Sequence, residues 1–196
     1  EINGIKITTK CRLGTLPDKE VYDHLNSSLT QSLDYLNMER VDLFLLHTQL
    51  REDNFQLQVL NKHRDAVSTS LSCYFNAAIP AFERLKAEGK IGSWGIGGMG
   101  QNKAIIEAIN YETPPEAIQC VVNPLNSAGA IGYVDKDYDP NSILEASQKA
   151  DLPILGIRAV QAGALTSEMD RKPHESGRDI KDFEDYDRAE PFRILA

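Results

Sequence analysis

Apolar positions along the chain switch repeatedly between a strand-like and a helix-like period. Residues 5–10, IKITTK, are β-branched and read as a strand. Thr15, Pro17 and Asp18 follow as a capping-box-like helix start with proline in the first turn. Val21, Leu25, Leu29, Leu33 and Leu36 then recur at helical spacing and make one apolar face. Residues 41–47, VDLFLLH, are a nearly continuous apolar run, as expected of a strand buried on both faces. Residues 48–75 are polar and read mainly as a loop or insertion.

The alternation resumes over 77–88, where Ile79, Phe82 and Leu85 share a helix side and Gly89 supplies a stop. Residues 91–97, IGSWGIG, read as a third strand. A helix over 101–110 carries Ala104, Ile105, Ala108 and Ile109. Residues 117–123, AIQCVVN, read as a fourth strand. Asn141 is the expected cap of a helix with Ile143, Leu144 and Ala150, and 153–159, PILGIRA, read as a fifth strand. From Thr166 to residue 196 the chain is polar and irregular, with a last helix starting in EDYDRAEPFRILA.

This rhythm predicts the α/β class, a parallel sheet with helical crossovers. Two architectures fit it, an open doubly wound sheet and a closed (β/α)8 barrel. A complete barrel takes about 250 residues. Five strands in the 196 residues here therefore predict, on the barrel reading, an incomplete barrel of five strand-helix units in a single domain, residues 1–196.

Composition narrows the partners. A net charge of -8 argues against nucleic acid or an anionic membrane surface. No apolar run approaches the roughly 20 residues that span a bilayer, and EINGIKITTK lacks a signal-peptide pattern. Cys11, Cys73 and Cys120 are an odd number without metal-like spacing, so free thiols in a reducing compartment, the cytoplasm, are expected and no metal site is.

In either architecture, function sits at the C-terminal ends of the strands. Lys10 ends the first. His47 ends the second and is followed by Gln49. Gly97-Gly98 end the third, the fourth carries Gln119 and ends in Asn123, and Arg158 stands near the end of the fifth. Such a rim is polar and cationic. It suits an anionic cofactor, or a carbonyl whose oxygen gains charge. Each residue has a plainer reading: a solvated lysine, a hydrogen-bonded structural histidine, a glutamine satisfying buried backbone, an ion-paired arginine. Their convergence on one rim favours a site. Residues 95–100, GIGGMG, fit G-x-G-x-x-G between a strand and a helix, the context of a dinucleotide fingerprint. The acidic partner that should end the next strand is missing, because that strand ends at Asn123-Pro124. The alternative is a tight turn where backbone passes close to a neighbour.

The stretches ITTK (7–10), SLTQSLDYLNMERVDLFLLH (28–47), AFERLKAEGKIGSWGIGG (81–98), IQCVVNPLNSAG (118–129) and ILGIRAVQAGALT (154–166) resemble the aldo-keto reductases. The second stretch, ending in the strand-tip histidine, is the most specific, and PLNSAG with IRAVQAGALT is similar to a bacterial-type branch. The resemblance implies a (β/α)8 barrel that binds NADP(H), with NAD(H) as the alternative, without a Rossmann fold. It implies reduction of small-molecule aldehydes or ketones, sugar-like ones included, or the reverse oxidation. The family's catalytic set is an aspartate, a tyrosine, a lysine and a histidine. By motif the lysine is Lys10, which would lower the acid tyrosine's pKa, and the histidine is His47, which would orient the carbonyl oxygen. Gln119 matches the glutamine that holds the nicotinamide carboxamide. Gly97-Gly98 stand where the family often has serine-asparagine, leaving backbone groups for that contact. Ile157 falls near the family's ring-stacking aromatic residue, and Arg158 beside it is expected to touch phosphate or substrate.

The family's aspartate and tyrosine belong to strands before ITTK. Tyr22, Tyr35, Tyr74, Tyr111, Tyr133, Tyr138 and Tyr186 all fall on helices or linkers rather than strand tips. The chain is therefore expected to be part of a longer enzyme and inactive alone. A non-catalytic barrel relative that binds nucleotide or a protein partner is the second expectation, and a Rossmann-type dehydrogenase using GIGGMG the third.

Overall fold

The computed structural model describes residues 4–55, 65–131, 135, 137–166 and 180–193. Five strands form one parallel sheet: β1 (Thr8–Cys11), β2 (Val41–Leu46), β5 (Ile91–Gly97), β6 (Ile118–Val121) and β7 (Ile154–Ile157), paired in the order β1-β2-β5-β6-β7. That order follows the sequence with no reversal. A doubly wound sheet reverses at its switch point, so this is an arc of (β/α)8 barrel staves. The crossovers are α1 (Asp18–Leu36), α2 (Ile79–Ala87), α3 (Asn102–Ile109) and α4 (Pro140–Lys149), with α5 (Ile180–Arg188) and α6 (Glu190–Arg193) after the last strand.

Strand residues alternate between two faces. Phe44, Leu46, Trp94, Ile96, Ile118 and Cys120 join the helices in one core, together with Val21, Leu25, Leu29 and Leu33 from α1. Phe82 stacks on Trp94 with ring centroids 5.2 Å apart, and Phe44 meets Phe82 edge-on at 5.6 Å. The buried indole Nε1–H of Trp94 donates to Glu83 at 2.6 Å, which satisfies its one polar atom. Leu45 is buried but stands outside this core, on the opposite face of the sheet. That second face, the inner face of the barrel, carries Lys10, Leu45, Gly95 and the rim residues.

Several local expectations need correction. Residues 48–75 are not only a loop: β3 (Gln49–Arg51) pairs in parallel with β4 (Ser68–Ser70), although residues 56–64 lie outside the described ones. The helix expected from 77 starts earlier, with an α-helical turn at Leu71–Cys73 capped by Ser70 and a π-helical stretch at Tyr74–Ala78. Thr15 does not cap α1. Its hydroxyl donates to the Ser68 carbonyl at 2.9 Å, and Pro17 precedes the helix with no side-chain cap. Asn141 does not cap α4 either: Asp139 does, accepting from the Asn141 N–H at 3.2 Å, with Pro140 as the first helical residue. Among the described residues no helix is long and apolar enough to cross a membrane.

Candidate active site

The sheet register decides which rim residues are neighbours. Lys10 pairs with Leu45, and Leu45 pairs with Gly95. Cys11 pairs with Leu46, and the His47 N–H donates to the Cys11 carbonyl at 2.7 Å, so pairing runs one residue past the end of β2. Gly97 pairs with Gln119, and Gln119 with Leu155. Arg12, His47, Gly97 and Gln119 therefore form one row across the rim, with Lys10 one pleat beneath. Side chains at i and i+2 of a strand share a face, which puts Lys10 and Arg12 on the same side of β1.

Arg12, His47, Gly97 and Gln119 meet at a cleft of about 280 Å³, and Lys10 is not among the residues that line it. Arg12, His47, Thr48 and Gln49 line one wall, and Gly97, Met99, Gln119 and Ile157 the other. Among the described residues no carboxylate lines it, although the chain as a whole carries -8. His47 is exposed at the rim, and no hydrogen bond holds its ring among the described residues. Partial burial pulls its pKa below the ordinary histidine value, and the positive charges of Lys10 and Arg12 lower it further. The imidazole is thus neutral at neutral pH, with an N–H free to donate. Lys10 is exposed and has no carboxylate partner among the described residues.

The cleft's second wall is shaped by glycines. A Cβ at Gly97 would meet nothing nearer than the Leu46 carbonyl at 3.5 Å, an ordinary van der Waals contact. Gly95 and Gly100 are different. A Cβ at Gly95 would strike the Ala117 carbonyl and lie 2.9 Å from the Leu45 side chain. Gly100, at φ +131°, passes against the backbone of Leu50, with which it forms a bridge. Close backbone approach accounts for two glycines of GIGGMG, and the sheet has no doubly wound switch point to use the pattern as a nucleotide fingerprint.

Other rim residues are committed elsewhere. The Gly98 N–H donates to the Gln119 carbonyl at 2.8 Å, and its own carbonyl accepts from the Tyr138 hydroxyl at 2.5 Å. Asn123 donates to the Ser127 carbonyl at 2.8 Å and holds the loop after β6. Arg158 lies just past β7 at φ +57°, and its guanidinium Nε donates to Gln161 at 2.8 Å rather than lining the cleft. Sequence reading passed over Arg12. Its spacing of two from Lys10 was the available signal.

The described tyrosines do not reach the cleft. Tyr22 bonds Glu88, Tyr74 is buried in the π-helical stretch, and Tyr111 stacks on Phe75. Tyr35 is exposed on α1, Tyr138 bonds Gly98, and Tyr186 bonds the Ala162 carbonyl. Tyr133 lies outside the described residues.

Solved structures share the fold. The chain is similar to the glycerol dehydrogenase from Gluconobacter oxydans, with 18% identity and a TM-score of 0.61 over 100% of this chain and 56% of that one. It is similar to an aldo-keto reductase from a Medee basin deep-sea metagenome library, with 15% identity and a TM-score of 0.54 over 86% and 49%. A third is the Bombyx mori aldo-keto reductase solved in complex with NADP, with 18% identity and a TM-score of 0.51 over 89% and 48%. The chain spans about half the length of these proteins. No curated protein matches it. The sequence model of the aldo/keto reductase family matches residues 1–192, and the chain belongs to that family.

Proposed function

We propose that the chain carries the carbonyl-activating rim of an NADP(H)-dependent oxidoreductase that reduces aldehydes or ketones, or oxidises the corresponding alcohols. The observation that supports this most is the placement of Lys10 and His47 near the C-terminal ends of neighbouring strands, with His47 lining a cleft that has no carboxylate among the described residues. The residues present fit the nicotinamide end of such a cofactor. Gly97 lines the cleft without adding a side chain to it, and Gln119 offers both a donor and an acceptor to a carboxamide. Ile157 supplies an aliphatic surface in place of an aromatic one. NADPH bound there supplies the hydride for reduction.

The chain's own residues prepare the carbonyl. Neutral His47 donates an N–H to the carbonyl oxygen and orients it. A donor already in place costs no reorganisation as charge develops. Lys10, one pleat below, adds positive charge that stabilises the developing oxyanion. The same charge lowers the pKa of a hydroxyl acid placed beside it. Among the described residues no tyrosine supplies that acid.

A second reading, nucleotide binding without turnover, draws support from that last point. The two are separated by following NADPH fluorescence and NADPH consumption in the native protein with a panel of aldehydes and ketones. Saturable binding weakened by Gln119→Leu, with consumption lost in His47→Ala, is the expected result. Binding with no consumption across the panel would select the second reading. Absence of NADPH binding would sink both.

A further inference from the structure

Three residues in the turn after β7 hold left-handed backbone without being glycine: Arg158 at φ +57°, Gln161 at φ +42° and Ala162 at φ +52°. Such residues relax toward negative φ unless their surroundings hold them. The turn matters to the cleft because it follows directly on Ile157, which lines the cleft wall and whose carbonyl accepts from the Val122 N–H at 2.9 Å. A buried polar hub holds the turn. Gln161 is fully buried. Its Oε1 accepts from Arg158 Nε at 2.8 Å and from Asn123 Nδ2 at 3.3 Å, and its Nε2 donates to Asp185. Asp185 stands on α5 and is only 1% exposed. Its Oδ2 also accepts from the Ser127 hydroxyl at 2.7 Å, and its Oδ1 accepts from Arg188 Nη1 at 2.8 Å. Tyr186 beside it donates to the Ala162 carbonyl at 2.7 Å.

We propose that Asp185 is a positioning residue for the cofactor end of the cleft: it fixes the sense of the Gln161 amide, and through that amide the strained turn that sets Ile157 in the cleft wall. A carboxylate accepts and never donates. Only the Gln161 NH2 can face it, so the amide oxygen must face Arg158 and Asn123, both of which donate. An asparagine at 185 breaks this order. Its NH2 either meets the Arg188 guanidinium, donor against donor, or takes the Oδ2 place and turns the Gln161 amide round. The reversed NH2 then faces the Arg158 and Asn123 donors, and buried donors left unpaired are costly. A network in which every member is satisfied specifies one geometry, and a half-satisfied one does not. The turn then gives up its left-handed residues, and the wall residue that precedes it shifts. Asp185 is not among the residues that line the cleft, so it acts only through this chain of contacts.

The inference rests on the reading that NADP(H) binds at this cleft, so the native protein is measured first. NADPH fluorescence titrations compare wild type, Asp185→Asn and the double variant Asp185→Asn with Gln161→Glu, at a temperature where thermal denaturation shows each to be folded. Asp185→Asn is expected to bind NADPH about tenfold more weakly, the scale of one hydrogen bond, with turnover at saturating NADPH little changed. Gln161→Glu moves the acceptor-only group to the other side of the same contact, so every donor in the hub again meets an acceptor. The double variant should therefore regain wild-type affinity. A role in stability alone would lower the melting temperature of Asp185→Asn and leave its affinity unchanged. That result overturns the proposal, as does a double variant that binds no better than the single one. If Asp185→Asn does not fold, a double variant that folds and binds like wild type supports the proposal, and one that fails in either respect overturns it. A wild type that binds no NADPH would sink the oxidoreductase reading itself, whereas equal binding by wild type and Asp185→Asn would sink the positioning role alone.

Discussion

Lys10 sits on the strand next to His47, paired with the residue two before it, and both side chains stand on the inner face of the sheet. The imidazole is held below its ordinary pKa first by partial burial and then by the Lys10 ammonium, with Arg12 adding to the effect. An NMR titration of His47 should therefore give a midpoint below about 6.5. Lys10→Met removes one of the two nearby cations and should move that midpoint up. Arg12→Met should move it the same way by less, following the order of the two charges. A midpoint insensitive to both variants would place the cations too far away to act on the ring.

The same shift sets a direction for stability against pH. His47 has a folded pKa below its unfolded one, so the unfolded chain takes up its proton first as pH falls. The contribution is fully present above about pH 6.5. It is lost as pH falls from there toward the folded value. Urea denaturation at pH 7 and pH 5.5 should show a drop in wild type that is smaller in His47→Gln. An equal drop in both would remove His47 from the acid sensitivity.

GIGGMG separates two kinds of glycine. Gly95→Ala drives a Cβ into the Ala117 carbonyl and the Leu45 side chain. It should cost about 1–3 kcal/mol, as overpacking does. Gly97→Ala meets nothing closer than 3.5 Å. Thermal denaturation should find it near wild type, while its methyl narrows the cleft and weakens NADPH binding. Equal stability of the two variants would contradict the packing account of Gly95.

Tyr74 is wholly buried, and its hydroxyl has no hydrogen-bond partner among the described residues. Burial alone pushes its pKa far above the ordinary tyrosine range. Removing an unpaired buried hydroxyl relieves a desolvation penalty. Tyr74→Phe should leave stability unchanged or raise it by up to about 1 kcal/mol. A loss of more than that, measured by urea denaturation, would mean that the hydroxyl has a partner in solution.

The sheet was legible because buried parallel strands are near-continuous apolar runs. VDLFLLH and IGSWGIG fall on β2 and β5, and His47 stands one residue past β2, whereas β1 runs one residue beyond Lys10 to Cys11. Elements held by long-range contacts were not legible. Gln49–Arg51 and Ser68–Ser70 are too short and too polar to show a strand period, and they pair across a 48–75 segment that reads as loop. Arg51 looks like a surface charge in sequence but is buried under bonds to Ser68, Glu52 and Asp53. Arg158 looked like a rim residue because it follows PILGI. It has a positive φ, its Nε donates to Gln161, and it is not among the residues lining the cleft. The buried Gln49 side-chain oxygen, without a hydrogen-bond partner among the described residues, has no sequence signature, because a residue's type does not reveal which partners the fold brings to it.

The measurement that bears most directly on the central claim is the turnover of Lys10→Met in the native protein, read beside its affinity for NADPH. In the proposed mechanism Lys10 supplies charge to the reacting oxygen, and it is not among the residues that line the cleft. Turnover should therefore fall by about 10²-fold or more, the usual scale for losing a group that assists proton transfer, while the dissociation constant for NADPH changes little. Unchanged turnover, or a loss explained wholly by weaker NADPH binding, would contradict the account.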